Sequence, residues 1–102
     1  MDDAKITDAK ITLERNGRQG CYLLPLPGSQ PARLTFVETG PGHIAIDYSF
    51  VPPAFRGRGV ALKLIVRAVE DARAGGYKIT PICGYVAAEF RHHPQWADVL
   101  ER

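Results

Sequence analysis

The sequence predicts a mixed α+β fold in which an antiparallel strand meander is followed by a parallel β-α-β unit and a short C-terminal helix. Three observations predict this order. Apolar and polar residues alternate through the first half of the chain, the period becomes helical after Gly59, and one more short apolar segment follows the helix. A chain of 102 residues with 45% hydrophobic residues has room for one packed core, so we expect a single domain spanning residues 1–102.

Four strands are predicted before the helix. An Asn16-Gly17 pair, typical of a tight hairpin, separates the first two, and Gly40-Pro41-Gly42 separates the last two. The predicted strands run from Lys10 to Arg15, Gly20 to Leu26, Arg33 to Glu38 and His43 to Val51.

The fourth strand has the clearest pattern. Ile44, Ile46, Tyr48 and Phe50 occupy every second position, so they are predicted to share one face of the sheet. Pro52-Pro53 ends the strand, because proline cannot donate to a strand ladder.

The helix is predicted from Gly59 to about Ala74, with Gly75-Gly76 as its stop. Its apolar stripe contains Ala61, Ile65, Ala68 and Ala72, broadened by Leu62, Val66 and Val69. A strand from Tyr77 to Cys83, a short helix from about Ala87 to His92 and a turn after Pro94 complete the chain. Strand, helix and strand in succession predict a parallel strand pair joined by a crossover.

Composition excludes several classes of function. The net charge of +2 is spread without a long basic run, which argues against an extended nucleic-acid or membrane surface. Met1 to Lys5 lack the pattern of a secretory leader, so a cytoplasmic protein is expected. Cys21 and Cys83 lie far apart without metal-ligand spacing, which predicts reduced thiols and no metal site.

The segment from Arg56 to Ala61, which we call the glycine turn, joins the clearest strand to the clearest helix. The first turn of a helix presents N–H groups without acceptors and a partial positive charge, which favours bound anions. Gly57 and Gly59 allow a phosphate to approach the backbone closely, and Arg56 and Arg58 add positive charge. The sequence context therefore favours a phosphate site over a solvated turn.

Two common phosphate motifs do not fit the glycine turn. The dinucleotide motif requires a third small residue where Leu62 stands, and an acidic residue at the end of the next strand, where Ile79-Thr80 stand. The nucleoside triphosphate loop requires Gly before Lys63 and Ser or Thr after it, but both neighbours are leucine.

The pattern Arg56-x-x-Gly59-x-Ala61 resembles the coenzyme A pyrophosphate loop of the Gcn5-related N-acetyltransferase superfamily. Val51-Pro52, the segment from Pro81 to Val86 and His93-Pro94 strengthen the likeness to its small, single-domain YjdJ-type branch. The resemblance covers about residues 43–100 and implies an acyl-CoA N-acyltransferase (GNAT-like) fold. Comparable members more often carry His-Thr where this chain has Tyr48-Ser49.

The resemblance implies acetyl-CoA, or coenzyme A, as the cofactor. The pyrophosphate is expected on the backbone of the glycine turn and the pantetheine arm beside the end of the fourth strand. The implied cofactor-binding residues are Phe50, Val51, Arg56, Gly57, Arg58, Gly59, Val60 and Ala61.

Catalytic candidates follow from the chemistry of acetyl transfer, which requires a polarised carbonyl, a neutral amine and a proton for the departing thiolate. Cys83 is a candidate proton donor or transient acyl acceptor, with a buried, inert thiol as the alternative. Tyr85 is a candidate proton donor, as tyrosines after this strand are in larger members, or a packing residue. Four other residues are candidate general bases: His92, His93, Glu89 and Asp47. The alternative for the two histidines is that they end a helix, and for the two carboxylates that they are solvated surface groups.

Three functional hypotheses remain open from the sequence. The first is an acetyl-CoA-dependent N-acetyltransferase acting on an unknown small-molecule or protein amine. The second is a non-catalytic coenzyme A binding module. The third, RNA binding through Arg56 to Gly59, is disfavoured because the tetrapeptide does not repeat and no aromatic residues interleave it. We expect a monomer or weak dimer with neither nucleic-acid nor membrane partners.

Overall fold

A computed structural model describes residues 10–101, which form one five-stranded sheet and two α-helices. The expectation drawn from Met1 to Lys5 lies outside these described residues. The strands are β1 (Thr12–Asn16), β2 (Gln19–Leu24), β3 (Ala32–Gly40), β4 (His43–Phe50) and β5 (Lys78–Pro81). The helices are α1 (Val60–Gly75) and α2 (Gly84–His92), and short 3₁₀ turns occupy Pro53–Phe55 and Pro94–Trp96.

The sheet has the order β1-β2-β3-β4-β5. The first four strands pair antiparallel with their neighbours, whereas β5 pairs parallel with β4. Helix α1 connects the two parallel strands, as a parallel pair requires. The predicted meander followed by a β-α-β unit is therefore confirmed.

Helix α1 packs its apolar side on the sheet and begins and ends within one residue of the prediction. Gly59 and Gly76 cap it at either end, both in the left-handed conformation that only glycine adopts readily. Its buried residues are Val60, Leu64, Ile65, Ala68, Val69 and Ala72. Ala61, predicted to belong to the buried stripe, is only half-buried, because it lines an open cleft instead of facing a strand.

Hydrogen bonds to the carboxylate of Asp71 also join helix α1 to the sheet. The Tyr22 hydroxyl, on β2, donates to Asp71 Oδ2 at 2.6 Å, and Arg67 Nε lies 3.2 Å from both oxygens of that carboxylate. Burial, followed by the hydrogen bond to Asp71, raises the pKa of Tyr22 well above its ordinary value. The phenol therefore keeps its proton at neutral pH, and its hydrogen bond to Asp71 links α1 to β2.

The predicted alternation along β4 is wrong in its second half. Thr35 pairs with Tyr48 but the next residue, Phe36, pairs with Ile46, so Asp47 is an extra residue in the strand. Such a β-bulge reverses the alternation of side chains beyond it. Ile46 therefore shares the buried face of Phe36, whereas Tyr48 lies on the opposite face and is 47% exposed.

The boundary between β5 and α2 also differs from the prediction. The strand ends at Pro81 instead of Cys83, and the helix begins at Gly84 instead of about Ala87. The N–H groups of Ile82 and Cys83 both donate to the Ile46 carbonyl, at 2.9 and 3.0 Å, which turns the chain out of the ladder. Cys83 thereby becomes the N-cap residue of α2.

Candidate active site

The parallel strands β4 and β5 separate beyond their first few pairs. Their last pair is Ile46 with Pro81, whereas β4 continues to pair with β3 as far as Phe50. The β5-facing edge of β4 is therefore open from Asp47 onward. Open α/β sheets commonly bind ligands in such a crevice at the carboxyl ends of parallel strands.

The glycine turn closes one end of this opening. Gly57 and Gly59 have φ angles of +78° and +73°, and a Cβ atom built on either meets no other atom within 4 Å. Both glycines are thus required by backbone conformation and face open space. No side chain caps α1, and the first helical hydrogen bond runs from Lys63 N–H to the Gly59 carbonyl. The preceding N–H groups of the helix have no acceptor within it.

The two arginines of the glycine turn have different surroundings. Arg56 Nε donates to the Val51 carbonyl at 3.0 Å, which fastens the turn to the end of β4. The Arg58 guanidinium lies 5.7 Å from the centre of the Phe55 ring, and Phe55 itself is buried. Arg56 therefore positions the turn, and both arginines add to its positive potential.

A cleft of about 500 Å³ lies between the glycine turn and the open edge of β4. Seven of the eight predicted cofactor-binding residues line it, and Arg58 does not. Predicted catalytic Tyr85 also lines the cleft, whereas Cys83 does not. The lining residues are Tyr48, Ser49, Phe50, Val51, Phe55, Arg56, Gly57, Gly59, Val60, Ala61 and Tyr85.

Cys83 lies behind the cleft wall, in contact with a residue that the sequence analysis did not select. Its Sγ is 3.4 Å from the hydroxyl of Ser49, which lines the cleft. Burial raises the pKa of the Cys83 thiol, but hydrogen bonds from Ser49 and from the N–H groups of Val86 and Tyr85 together lower it below its ordinary value. The thiol is therefore more acidic than an ordinary cysteine, and it contacts a side chain that lines the cleft.

Tyr85 occupies the first turn of α2 and is 47% exposed. Burial of its phenol, and then the negative charge of Glu89, raise its pKa. The phenol is therefore protonated at neutral pH and is chemically suited to give a proton to a thiolate.

The histidines and carboxylates that the sequence offered as general bases do not line the cleft. His93 Nδ1 donates to the Glu89 carbonyl at 2.8 Å, and its ring stacks on Trp96 at 4.1 Å. Asp47 accepts a hydrogen bond of 2.6 Å from the Thr35 hydroxyl. These contacts favour the structural alternatives for His93 and Asp47.

Three residues of the cleft were missed as site residues, Tyr48, Ser49 and Phe55. The contact that draws attention to Ser49 is with Cys83, 34 positions away, and no local pattern carries it. Phe55 follows Pro53 in a turn that the sequence predicted only as the end of a strand. Among residues 10–101, no cluster of three or more His, Cys, Asp or Glu side chains is arranged to hold a metal ion. The helices in this range are too short or too polar to cross a membrane.

Comparison with known proteins agrees with this geometry. Residues 21–99 match the family model described as GCN5-related N-acetyl-transferase. The NMR solution structure of a GCN5-like protein from Staphylococcus aureus has a TM-score of 0.70 and 21% identity, covering 91% of this chain and 90% of that one. An IAA acetyltransferase from Bacillus cereus ATCC 14579 has a TM-score of 0.59 and 22% identity, covering 78% of this chain and 54% of that one. No curated protein matches the chain. The structural likenesses confirm the predicted acyl-CoA N-acyltransferase fold.

Proposed function

Because the chain belongs to the GCN5-related N-acetyltransferase family, we propose that it binds acetyl-CoA in the cleft between β4 and β5 and transfers the acetyl group to an amine. The observation that carries this proposal is the placement of the glycine turn. Its two left-handed glycines and the free N–H groups of α1 face the same cleft as the open edge of β4.

The residues present fit the phosphates of coenzyme A. A pyrophosphate bound at the start of α1 gains N–H donors and the positive end of the helix dipole. Any side chain at Gly57 or Gly59 would project into the space that the phosphates need. Arg56 and Arg58 supply the positive charge, and no Asp or Glu lines the cleft to oppose it.

The same residues supply two of the three things that acetyl transfer requires, namely donors to the thioester carbonyl and a proton for the departing thiolate. Acetyl-CoA brings the activated thioester, and the unpaired edge of β4 beyond Ile46 offers backbone donors for its carbonyl oxygen. Tyr85 holds a proton near the cleft for the departing sulfur. Cys83, whose Sγ contacts the hydroxyl of Ser49 in the cleft wall, is the alternative participant. As a transient acyl acceptor its sulfur would bond to the acetyl carbon as coenzyme A leaves, and the amine would then displace it.

One observation favours a second candidate, a coenzyme A binding module without catalysis. No histidine or carboxylate lines the cleft, so no side chain there can take the proton of an ammonium acceptor at neutral pH. In this alternative the glycine turn still binds the phosphates of coenzyme A, and Tyr85 has no catalytic role.

Calorimetric titration with acetyl-CoA, followed by assay of thiol release with amines, separates the two candidates. For an acetyltransferase, Tyr85→Phe should lower kcat by about 10²-fold, within the usual range for loss of a general acid, while the Kd for acetyl-CoA stays near the wild-type value. Cofactor binding without acetylated product from a broad amine panel would establish the binding module. Absence of acetyl-CoA binding would refute both candidates.

A further inference from the structure

Three large hydrophobic side chains within residues 10–101 are exposed, and they lie where β4 and β5 separate. Tyr48 and Tyr85 are each 47% exposed and line the cleft, and Ile82 is 61% exposed. The N–H of Ile82 donates to the carbonyl of Ile46, the last β4 residue paired with β5. We call Tyr48, Ile82 and Tyr85 the mouth patch. Exposed apolar residues scattered singly need no explanation, whereas two exposed rings that line one cleft, with Ile82 three positions before Tyr85 in the chain, favour a binding surface.

The mouth patch lies away from the phosphate end of the cleft. Tyr48 precedes Phe50 by two positions on β4, so its backbone lies about 7 Å back along the strand from the end that leads into the glycine turn. Ile82 is absent from the cleft wall. With the phosphates at the glycine turn, the mouth patch therefore borders the acetyl end of the cofactor, where the acceptor must arrive.

The charges around the mouth patch do not suit a polycationic acceptor. The Arg33 guanidinium lies 5.3 Å from the centre of the Phe50 ring, and its buried Nε has no hydrogen-bond partner in the described part of the chain. Arg56 lines the cleft, whereas the carboxylates that adjoin the patch in the chain, Asp47 and Glu89, do not line it and have partners of their own. Asp47 accepts the Thr35 hydroxyl, and Glu89 lies 3.5 Å from His93 Nδ1.

We propose that the acceptor is a primary amine carried on an aromatic or similarly flat apolar group, which packs on the mouth patch. The inference rests on the proposed function and adds the substrate class. In the reaction the amine nitrogen forms a bond to the acetyl carbon while the bond from carbon to sulfur breaks. The amine loses a proton to solvent, and the coenzyme A sulfur gains one.

The test compares amines of different shape and charge at saturating acetyl-CoA, with product identified by mass spectrometry. The probes are 2-phenylethylamine, n-butylamine and spermidine. Contact between aromatic rings and burial of the phenyl group should give 2-phenylethylamine a kcat/KM about 10-fold or more above either of the others.

Two substitutions at Tyr48 distinguish the contribution of its ring to acceptor binding from that of its hydroxyl. Tyr48→Ser should raise KM for 2-phenylethylamine about 10-fold, whereas Tyr48→Phe should stay within about 2-fold of the wild type, because stacking requires only the ring. In each variant the KM for 2-phenylethylamine is divided by the KM for n-butylamine, so an effect of the substitution on acetyl-CoA binding, which acts on both amines, cancels; an unchanged ratio in Tyr48→Ser would overturn the inference.

The outcomes distinguish this inference from the proposed function. If spermidine or n-butylamine has a kcat/KM equal to that of 2-phenylethylamine, the proposed substrate class is wrong, but the proposed acetyltransferase activity is unaffected. Acetyl-CoA binding without turnover of any amine would overturn the inference together with catalysis, and absence of acetyl-CoA binding would overturn the proposed function itself. A wild-type dimer in sedimentation that Ile82→Glu dissociates would identify the mouth patch as a contact between copies, which also overturns the inference.

Discussion

Replacement of Gly59 by glutamate tests the glycine turn through two separate effects. Gly59 has a φ of +73°. A residue with a Cβ atom in this left-handed conformation costs about 1–2 kcal/mol, which corresponds to a fall in Tm of roughly 4–16 °C for a domain of this size. A carboxylate about 4 Å from a phosphate charge repels it by about 4 kcal/mol at an effective dielectric constant of about 20. With solvent screening reducing this to about 2–3 kcal/mol, affinity should fall by roughly 30-fold or more.

Gly76 provides a matched control for the loss of stability. It has the same φ of +73°, and a Cβ atom there also meets nothing within 4 Å. It caps the other end of the 16-residue α1, about 24 Å away. Gly76→Glu should therefore lower Tm by a similar amount and leave the calorimetric Kd for acetyl-CoA unchanged. Equal affinities in Gly59→Glu and the wild type would refute the placement of the phosphates.

Three further predictions concern stability and thiol chemistry. Tyr22→Phe removes a hydrogen bond to a carboxylate and should lower the free energy of unfolding by about 1–2 kcal/mol in urea titration; an unchanged midpoint would contradict this. Gly20→Ala should cost about 1–3 kcal/mol, because its Cβ would approach the buried ring of Phe36 to 2.1 Å, and a neutral effect would show that the ring can move. The pKa of Cys83 is lowered, whereas burial chiefly raises that of Cys21, so iodoacetamide alkylation followed by mass spectrometry should have its pH midpoint at lower pH for Cys83. The reverse order would refute the lowered pKa of Cys83.

Local sequence signals predicted most of the fold. The Asn16-Gly17 hairpin, the switch to helical period after Gly59 and the Gly75-Gly76 stop each act within a few residues, and the structure has a hairpin and helix at these places. The β5 boundary was less accurate because it depends on the Ile46 carbonyl, which is distant in sequence and accepts two N–H groups at once.

The bulge at Asp47 shows why the candidate site was predicted only in part. The apolar alternation from Ile44 to Phe50 is unbroken in the sequence, so it predicted one regular face. Pairing with β3 inserts the extra residue and turns Tyr48 outward, toward the cleft. The glycine turn, in contrast, is a local feature, and its residues could be selected without knowledge of pairing. The contact between Ser49 and Cys83 joins two elements and had no local signal.

The central claim, that coenzyme A phosphates bind the backbone at the start of α1, is tested most directly by NMR. In a protein of 11.2 kDa each backbone amide can be followed during titration of ¹⁵N-labelled wild type with acetyl-CoA. We predict the largest shifts at the amides of Gly57, Arg58, Gly59, Val60 and Ala61, with little change in β1 and β2. Saturable shifts concentrated in β1 and β2, with the glycine turn unaffected, would contradict the account.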